Sequence, residues 1–491
     1  MRDEAAAGPG LGFALRGGLL AVLCLAGPAL AGEPVVQDRP RDLQALAAFV
    51  EEKAGAVKEG YRKALEEAGD NRAQIEKAVE TCSTRREKLA MIWLVSHMPG
   101  HGFAERVDDA WVLKKDLETL SAEHLHHNVR FAVAARDRFP WARDVPWPIF
   151  LHYVLPYRGS QEKAQDYRPV FWEALASRVE GCATGAEALQ RVNRWAAERV
   201  TFHTREAQDL GVLETLEAGT GRCEDMANLV IAAASTVGIP CTSAYTPWWP
   251  AADGNHAWNE AYLDGTWRSF MGCEPVKEGE PFDRIKKESL FAKVYRKRFV
   301  PPEGENARFG EDVTALYTPV TNLDFSVGEK KTRVLLAVWN AGGWRQVART
   351  RAGDDGMVRF PDVGCQKTLL LNTFLSGDTA RPAVGPFLLH TDGRVEILTL
   401  DPVRKGAPGL DPVVIEGLLP GAEYGLMAFN GRRWDLLGRK VAPYTGEADF
   451  GETGRLQTLY LLVRLYGDRP VPEGRPFVFE EKDGKLVRKK Y

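Results

Sequence analysis

The sequence predicts an α+β protein with a helical N-terminal domain, a mixed αβ core and β-sandwich modules at its C-terminal end. Three observations support this fold class. Apolar residues recur at helical spacing from residue 42 to about residue 140. A glycine-rich turn, an apolar helix and an alternating strand follow one another between residues 219 and 275. Beyond Pro301 and Pro302, short alternating segments separated by turn residues predict strands.

The composition is that of a globular protein whose core comes from the burial of apolar residues. The 491 residues are 44% hydrophobic and 27% charged, and the formal net charge is −3. This balance argues against a nucleic acid or an anionic membrane surface as the main partner. Seven cysteines are too few for a scaffold built from disulfides. A chain of this length is expected to form about three domains.

The N-terminus indicates a secretory signal peptide over residues 1–31. Arg2 and Arg16 precede an apolar stretch at 17–31, which is shorter than the ~20 residues of a spanning helix. Residues 29–31 form a small-x-small cleavage pattern. We therefore expect a periplasmic or secreted mature chain without a membrane span. An uncleaved membrane anchor is the alternative.

Residues 42–180 are predicted to form the helical domain. A capping box of Thr84 and Glu87 predicts the start of one helix, and Ser121 predicts the start of another. The stretch at 146–168 is rich in aromatic residues and proline, which favours an ordered, packed connector over a flexible linker.

The chemistry is expected in the core domain at residues 181–300. Cys223 follows a glycine-rich turn and lies in the first turn of an apolar helix that ends at Gly238. Exposed N–H groups and the positive end of the helix dipole stabilise a thiolate there, and Arg222 adds positive charge. Cys223 is therefore a candidate nucleophile, although cysteines are more often small buried apolar residues.

A candidate base, His256, follows 33 residues after Cys223. Alternation along residues 255–262 places His256 on a strand, and the strand that returns from the turn at 264–265 leads to Glu274. A histidine opposite a helix-terminal cysteine can accept the thiol proton and later protonate the leaving amine. The Glu274 carboxylate can orient the imidazole through its second nitrogen.

These residues resemble a known family. GRCED at residues 221–225 with the apolar helix after it, HAWNE at 256–260 and GTW at 265–267 are similar to the core blocks of the transglutaminase-like superfamily. The resemblance covers about residues 185–275. It implies a papain-like αβ core with a Cys-His-acid triad, in which Cys223 is the nucleophile and His256 the base. It also implies acyl transfer, proteolysis or N-glycanase activity.

One position departs from the family pattern. The superfamily usually has an Asp where this chain has Met271, and the nearest acid is Glu274. A bulge at Gly272 can bring Glu274 into place, because glycine in a strand tolerates the bend. In that case Glu274 is the orienting acid. Otherwise Glu274 is a surface acid and the triad is incomplete.

Other candidate groups have weaker signals. Trp248 and Trp249 precede His256 and form either an apolar lip for the substrate or a packed loop. The spacing of His124 and His127 suits zinc, but no second cluster supplies further ligands. We therefore expect neither a metal nor another cofactor.

The C-terminal part is predicted to contain two β-sandwich modules, at 305–402 and 411–491. A strand at 336–340 leads through glycines to Trp344, and a strand at 426–430 leads through a glycine to Trp434, 90 residues later. This period suits two successive modules of ~90–100 residues. Chance similarity of two hairpins is the alternative. The last hairpin is predicted to turn at 483–484.

Together these features predict a secreted thiol enzyme that cleaves or transfers amide bonds of peptides, proteins or cell-wall material through an acyl-Cys223 intermediate. Hydrolysis is favoured because secreted enzymes work in excess water. A non-catalytic binding or scaffold protein with a degenerate transglutaminase-like domain is one alternative. A glycan-directed amidase, similar to N-glycanases, is another. The fold by itself does not decide among them.

Overall fold

Helices with one apolar face build the N-terminal part of the chain. The computed structural model describes residues 34–204, 209–274, 282, 285, 290–365, 368–376, 379–398, 411–431, 433–482 and 485–490. The expected signal peptide and the expected turn at 483–484 lie outside these residues. The helices before residue 180 are α1 (Pro40–Glu52), α2 (Ala54–Glu67), α3 (Arg72–Glu80), α4 (Arg85–Ser96), α5 (Asp116–Thr119), α6 (Ala122–Arg138), α7 (Pro140–Arg143), α8 (Trp147–Tyr153) and α9 (Arg168–Leu175).

Two of these helices begin at the predicted caps. Thr84 and Glu87 form the reciprocal capping box at the start of α4, and the Ser121 hydroxyl accepts a hydrogen bond at the start of α6. Residues 102–115 differ from the predicted helical pattern, because they form a hairpin of β1 (Gly102–Val107) and β2 (Ala110–Lys115). Its turn residues, Asp108 and Asp109, both have positive φ, as a two-residue hairpin turn requires.

The central part of the chain places helices against an antiparallel sheet. Its elements are α10 (Gly185–Ala197), β3 (Thr201–Phe202), α11 (Val212–Ala218), β4 (Thr220–Gly221), α12 (Cys223–Thr236), β5 (Cys241–Thr246), β6 (His256–Leu263), β7 (Thr266–Phe270), β8 (Tyr295–Arg296) and β9 (Glu311–Asp312). The strand order in the sheet is β7-β6-β5-β8-β9, and each neighbouring pair is antiparallel. The fold class predicted from the sequence is confirmed here.

The core of this central part also includes helices that precede residue 180. Phe171 of α9 and Ala135 of α6 share one buried cluster with Leu189 of α10 and Val230 of α12. The packing is therefore continuous across the predicted boundary, and the boundary itself stays a prediction. Gly238 follows α12 with φ of 75°, and this left-handed conformation lets the chain turn back into β5.

Strands form the C-terminal part of the chain. The first module contains β10 (Val320–Ser326), β11 (Arg333–Asn340), β12 (Gly343–Arg351), β13 (Met357–Gly364), β14 (Thr368–Ser376), β15 (Thr379–Leu389) and β16 (Val395–Ile397). The second contains β17 (Asp411–Ile415), β18 (Glu423–Phe429), β19 (Trp434–Val441), β20 (Ala448–Gly454), β21 (Tyr460–Tyr466), β22 (Arg469–Pro472), β23 (Phe477–Lys482) and β24 (Lys485–Lys490). Each module has a two-stranded and a larger sheet with a common buried core, as in a β-sandwich.

The two modules share one pattern of strand pairing. In each, the first strand pairs with the fourth, and the second strand pairs with the third and the fifth. A register shift recurs at the same place, after Leu336 in the first module and after Leu426 in the second. The repeat predicted from the two hairpins is confirmed. The rings of Trp339 and Trp434 meet edge to face, 5.6 Å apart, where the modules pack together.

Within the part of the chain that the structure describes, there is no helix with the length and apolar character needed to cross a bilayer.

Candidate active site

The start of α12 determines where Cys223 lies. Gly219 ends α11 in the left-handed conformation, and β4 then pairs in parallel with β3 before the chain enters α12. The fully buried Asp225 carboxylate accepts hydrogen bonds from the N–H groups of Arg222 and Leu210, both at 2.9 Å. This buried carboxylate fixes the entry into the helix, so that Cys223 occupies its first position.

The three candidate catalytic residues line one cavity. The volume of this cavity is about 310 Å³. The side chains and backbone that line the thiol cavity are those of Phe202, Cys223, Met226, Ala227, Asn255, His256, Ala257, Trp258, Asn259, Met271, Gly272 and Glu274. Cys223, His256 and Glu274 therefore come from a helix, a strand and a turn that the fold brings together.

The Cys223 thiol is held by a neighbour that the sequence analysis did not single out. Its Sγ donates to Oε2 of Glu224 at 3.0 Å. Burial, together with the charge of Glu224, raises the pKa of Cys223 to about 12, although hydrogen bonding to the backbone of Ala257 lowers it. The thiol is thus neutral near pH 7 in this arrangement. The guanidinium of Arg222, whose charge was expected to stabilise the thiolate, pairs with Asp209 instead.

The His256 ring lies between aromatic side chains at the start of β6. The ring of Trp249 stacks on it with centroids 6.0 Å apart, and the ring of Trp258 lies at 5.8 Å. Burial lowers the pKa of His256, while the charges of Glu224 and Glu274 oppose that shift. A neutral imidazole near pH 7 can accept a proton, which is what a general base requires.

Glu274 enters the cavity through a turn, not through the bulge expected at Gly272. Strand β7 ends at Phe270, and Cys273 takes the left-handed conformation with φ of 60°. The Asn193 amide holds this turn, because Nδ2 donates to the carbonyls of Met271 and Glu274 at 3.0 and 2.9 Å, and Oδ1 accepts from the N–H of Cys273 at 2.8 Å.

Close packing explains the glycine and the methionine of this turn. A Cβ at Gly272 would lie 2.3 Å from Oδ1 of the buried Asn259, so a larger residue does not fit. Met271, where the resemblance implies an Asp, packs instead against the apolar cluster that contains Trp258 and Phe291. The next acid along the chain, Glu274, lines the thiol cavity three residues later.

The two tryptophans before His256 are packed into the loop. Trp248 contacts the core of the first β module and lies under the guanidinium of Arg345, 5.5 Å from the ring centroid. Trp249 lies between His256 and Phe291, whose ring centroid is 5.2 Å away. Neither side chain is among the described residues that line the thiol cavity. Trp249 therefore supports the imidazole of His256 by stacking on its ring.

Both β modules hold the loop that leads into His256. Nδ2 of Asn340, in the first module, donates to the carbonyls of Trp249, Ala252 and Gly254 at 2.9, 2.8 and 3.0 Å, and Oδ1 accepts from the N–H of Gly254 at 3.0 Å. Arg475, in the second module, donates to the carbonyl of Pro250. The loop at 248–254 is thus fixed by residues far away in sequence.

The remaining candidates have ordinary partners. Nδ1 of His127 lies 2.6 Å from the Asp166 carboxylate, and His124 meets Tyr157 edge to face. The described residues contain no group of three or more His, Cys, Asp or Glu that could hold a metal ion. The six described cysteines, which are Cys82, Cys182, Cys223, Cys241, Cys273 and Cys365, are all free thiols.

The comparisons with known proteins concern this domain. Residues 173–271 match the sequence profile of the transglutaminase-like superfamily, so the resemblance predicted from the two core blocks is confirmed. No curated protein matches the chain in sequence. Among solved structures, a candidate cysteine protease from Cytophaga hutchinsonii matches with 15% identity and a TM-score of 0.23, over 49% of this chain and 60% of that chain. The match thus spans less than two thirds of that protein's length.

Proposed function

We propose that the transglutaminase-like domain at 173–271 belongs to an exported thiol enzyme that breaks amide bonds of peptides through an acyl-Cys223 intermediate. The observation that carries the proposal is that Cys223, His256 and Glu274 line one cavity, with the cysteine at the first position of a helix. A nucleophile, a neutral base and a carboxylate for the base are the three parts that such chemistry needs.

The reaction begins when Sγ of Cys223 turns from Glu224 to His256. The imidazole takes the thiol proton, and the thiolate attacks the carbonyl carbon of the substrate amide. The N–H of Cys223 donates to the resulting oxyanion. The C–N bond then breaks as His256 returns the proton to the leaving amine, which leaves an acyl-thioester on Cys223.

Water completes the cycle in the hydrolytic form of the reaction. His256 takes a proton from the water as the water oxygen attacks the thioester carbon. The C–S bond then breaks to release the acid, and His256 returns the proton to the sulfur of Cys223. An amine in place of water would give transfer. We favour hydrolysis, since an exported enzyme works in excess water. The peptide substrate includes cell-wall peptides as one class.

One observation favours a non-catalytic protein as the second candidate. The thiol donates to Glu224, and its pKa is raised to about 12, whereas an activated thiol has a lowered pKa. A domain that keeps this arrangement permanently would be a binding or scaffold module. The two candidates differ in whether His256 changes the reactivity of Cys223.

The test measures thiol reactivity and amide cleavage on the same preparations. Iodoacetamide labelling at pH 5–9, followed by peptide mass spectrometry, compares Cys223 with Cys82, which is half-buried with a pKa raised to about 12 by burial. We expect Cys223 to label at least ~10-fold faster than Cys82 without peptide, because its Sγ can turn to His256, and His256→Ala to remove the difference. A peptide pool should slow the labelling of Cys223, because acylation blocks its Sγ.

Cleavage of the peptide pool is then compared for the wild type, Cys223→Ala and Cys82→Ala. We expect cleavage by the wild type and Cys82→Ala and none by Cys223→Ala. Equal labelling of the two thiols, without any cleavage of the pool, would contradict the enzyme and favour the binding module.

A further inference from the structure

A second, basic groove lies beside α12. Its volume is about 210 Å³, and its polar lining includes His101, Arg158, Ser160, Lys297, Arg298 and Arg308. None of the residues that line it is an aspartate or a glutamate. The groove is therefore locally positive, although the whole chain has a net charge of −3.

Three of the cations in this groove pair with no carboxylate among the described residues. The ammonium of Lys297 lies over the ring of Tyr245, 4.5 Å from its centroid. Arg298 donates from Nη2 to Nε2 of His152 at 3.2 Å, and its buried Nε has no acceptor among the described residues. Arg308, at the exposed rim, donates to the amide oxygen of Gln346.

Arg158 differs from these three because its charge is already compensated. Its guanidinium pairs with the buried Asp116 carboxylate at 2.9 Å and donates to the carbonyl of Gly102. It therefore forms a fixed wall of the groove. Burial lowers the pKa of both Lys297 and Arg308. The charges of Asp209 and Glu224 oppose this shift for Lys297, whereas the charge of Arg349 lowers the pKa of Arg308 further. An anion placed among these cations would offset the cost of keeping them charged.

The groove is close to the thiol cavity along the same helix. Nδ2 of Asn228, on α12, donates to Oγ of Ser160, which lines the groove. The N–H of Lys297 donates to the carbonyl of Ser243 at 2.8 Å, on the strand next to that of His256. The ammonium of Lys297 also lies within electrostatic reach of Glu224, the acceptor of the Cys223 thiol.

We propose that this groove binds a carboxylate of the peptide substrate, so that the enzyme selects an acidic residue near the amide that it breaks. The inference rests on the proposed function. Ammonium and guanidinium groups bind carboxylates through charge-assisted hydrogen bonds. The volume is below the ~300–1,000 Å³ of pockets for drug-sized ligands, which suits one acidic side chain.

The test measures binding without turnover. Calorimetry with the Cys223→Ala protein compares two peptides of five residues that differ only in a central glutamate or glutamine. We expect the glutamate peptide to bind at least ~10-fold more tightly, with an advantage that decreases as salt increases. Lys297→Gln with Arg308→Gln should remove the advantage, whereas Lys440→Gln, at an exposed position of β19, should leave it unchanged. Thermal unfolding checks that each variant folds.

The outcomes separate the inference from the proposed function. Equal binding of the two peptides by the folded Cys223→Ala protein would overturn the inference, even if the wild type cleaves peptides. Binding of inorganic phosphate that depends on Lys297, without discrimination between the peptides, would also overturn it and assign the groove to a free anion. Selective binding of the glutamate peptide, without any cleavage by the wild type, would leave the groove assigned and contradict the enzyme.

Discussion

The thiol of Cys223 donates a hydrogen bond to Glu224 at 3.0 Å, although the imidazole of His256 lines the same cavity. The Glu224 charge raises the pKa of both side chains, so it disfavours the thiolate and favours the imidazolium. The carboxylate thus stabilises the protonated thiol. Formation of a thiolate–imidazolium pair requires this hydrogen bond to break first.

Replacement of Glu224 by glutamine is expected to activate Cys223. The substitution removes a charge that raises the pKa of the thiol, so the thiolate fraction at pH 8 should increase by roughly 3- to 10-fold, since one pKa unit is a factor of ten. The measurement is the rate of iodoacetamide labelling from pH 6 to 10, whose profile should move to lower pH. Glu217→Gln, at an exposed position of α11, is the matched control. An unchanged profile in Glu224→Gln would show that Glu224 does not control the thiol.

Asn193 is expected to keep Glu274 in place. Asn193→Ala leaves the N–H of Cys273 and the carbonyls of Met271 and Glu274 without this partner, which should cost about 2–3 kcal/mol in the free energy of unfolding. Urea denaturation measures that loss. Asn193→Asp keeps the acceptor but places a buried carboxylate against the two carbonyls, so at pH 7 it should be at least as destabilising as the alanine variant. An alanine variant as stable as the wild type would contradict the role of the amide.

Asn340 is expected to couple the first β module to His256. Asn340→Ala removes the hydrogen bonds to the loop at 248–254, so amide hydrogen exchange in that loop should become at least ~10-fold faster. Because Trp249 supports His256, labelling of Cys223 should also lose part of its dependence on His256. Asn430→Ala is the matched control, since Asn430 holds the equivalent place in the second module and bonds Asp435. Unchanged exchange at 248–254 would contradict the coupling.

Local patterns explain why part of the site could be predicted from the sequence. Cys223 follows a turn rich in glycine and begins an apolar helix whose residues 225–236 are all buried, so a few adjacent residues define its place. His256 begins an alternating strand that ends at a tight turn. The 90-residue spacing of Trp344 and Trp434 likewise reflects one hairpin that occurs twice, with the same pairing and the same bulge.

The rest of the site depends on contacts between residues far apart in sequence. Asn193 and Asn340 bind backbone groups about 80 and 90 residues away, and no local pattern marks either side chain. Glu274 reaches the cavity because Cys273 takes a positive φ, which is uncommon for cysteine and has no sequence signal. The hairpin at 102–115 was not predicted, because its Asp-Asp turn lacks the glycine that usually marks such turns.

Two half-buried histidines are expected to make the protein sensitive to acid. Burial lowers the pKa of His101 to about 4 and that of His152 to about 3, and the charges of Arg158 and Arg298 contribute. Unfolded histidine has a pKa near 6.5, so the unfolded chain binds more protons between pH 6.5 and 4. The stabilisation by each neutral imidazole is therefore present above pH 6.5 and decreases as the pH falls, by on the order of 2–3 kcal/mol each at pH 4.

Urea denaturation at pH 7.5 and pH 4 should show a smaller loss of stability for His152→Gln than for the wild type, because the amide oxygen can still accept from Arg298 and does not titrate. His126→Gln, at a residue that bonds the exposed Thr81, is the control. Equal losses in His152→Gln and the wild type would mean that other groups cause the acid sensitivity.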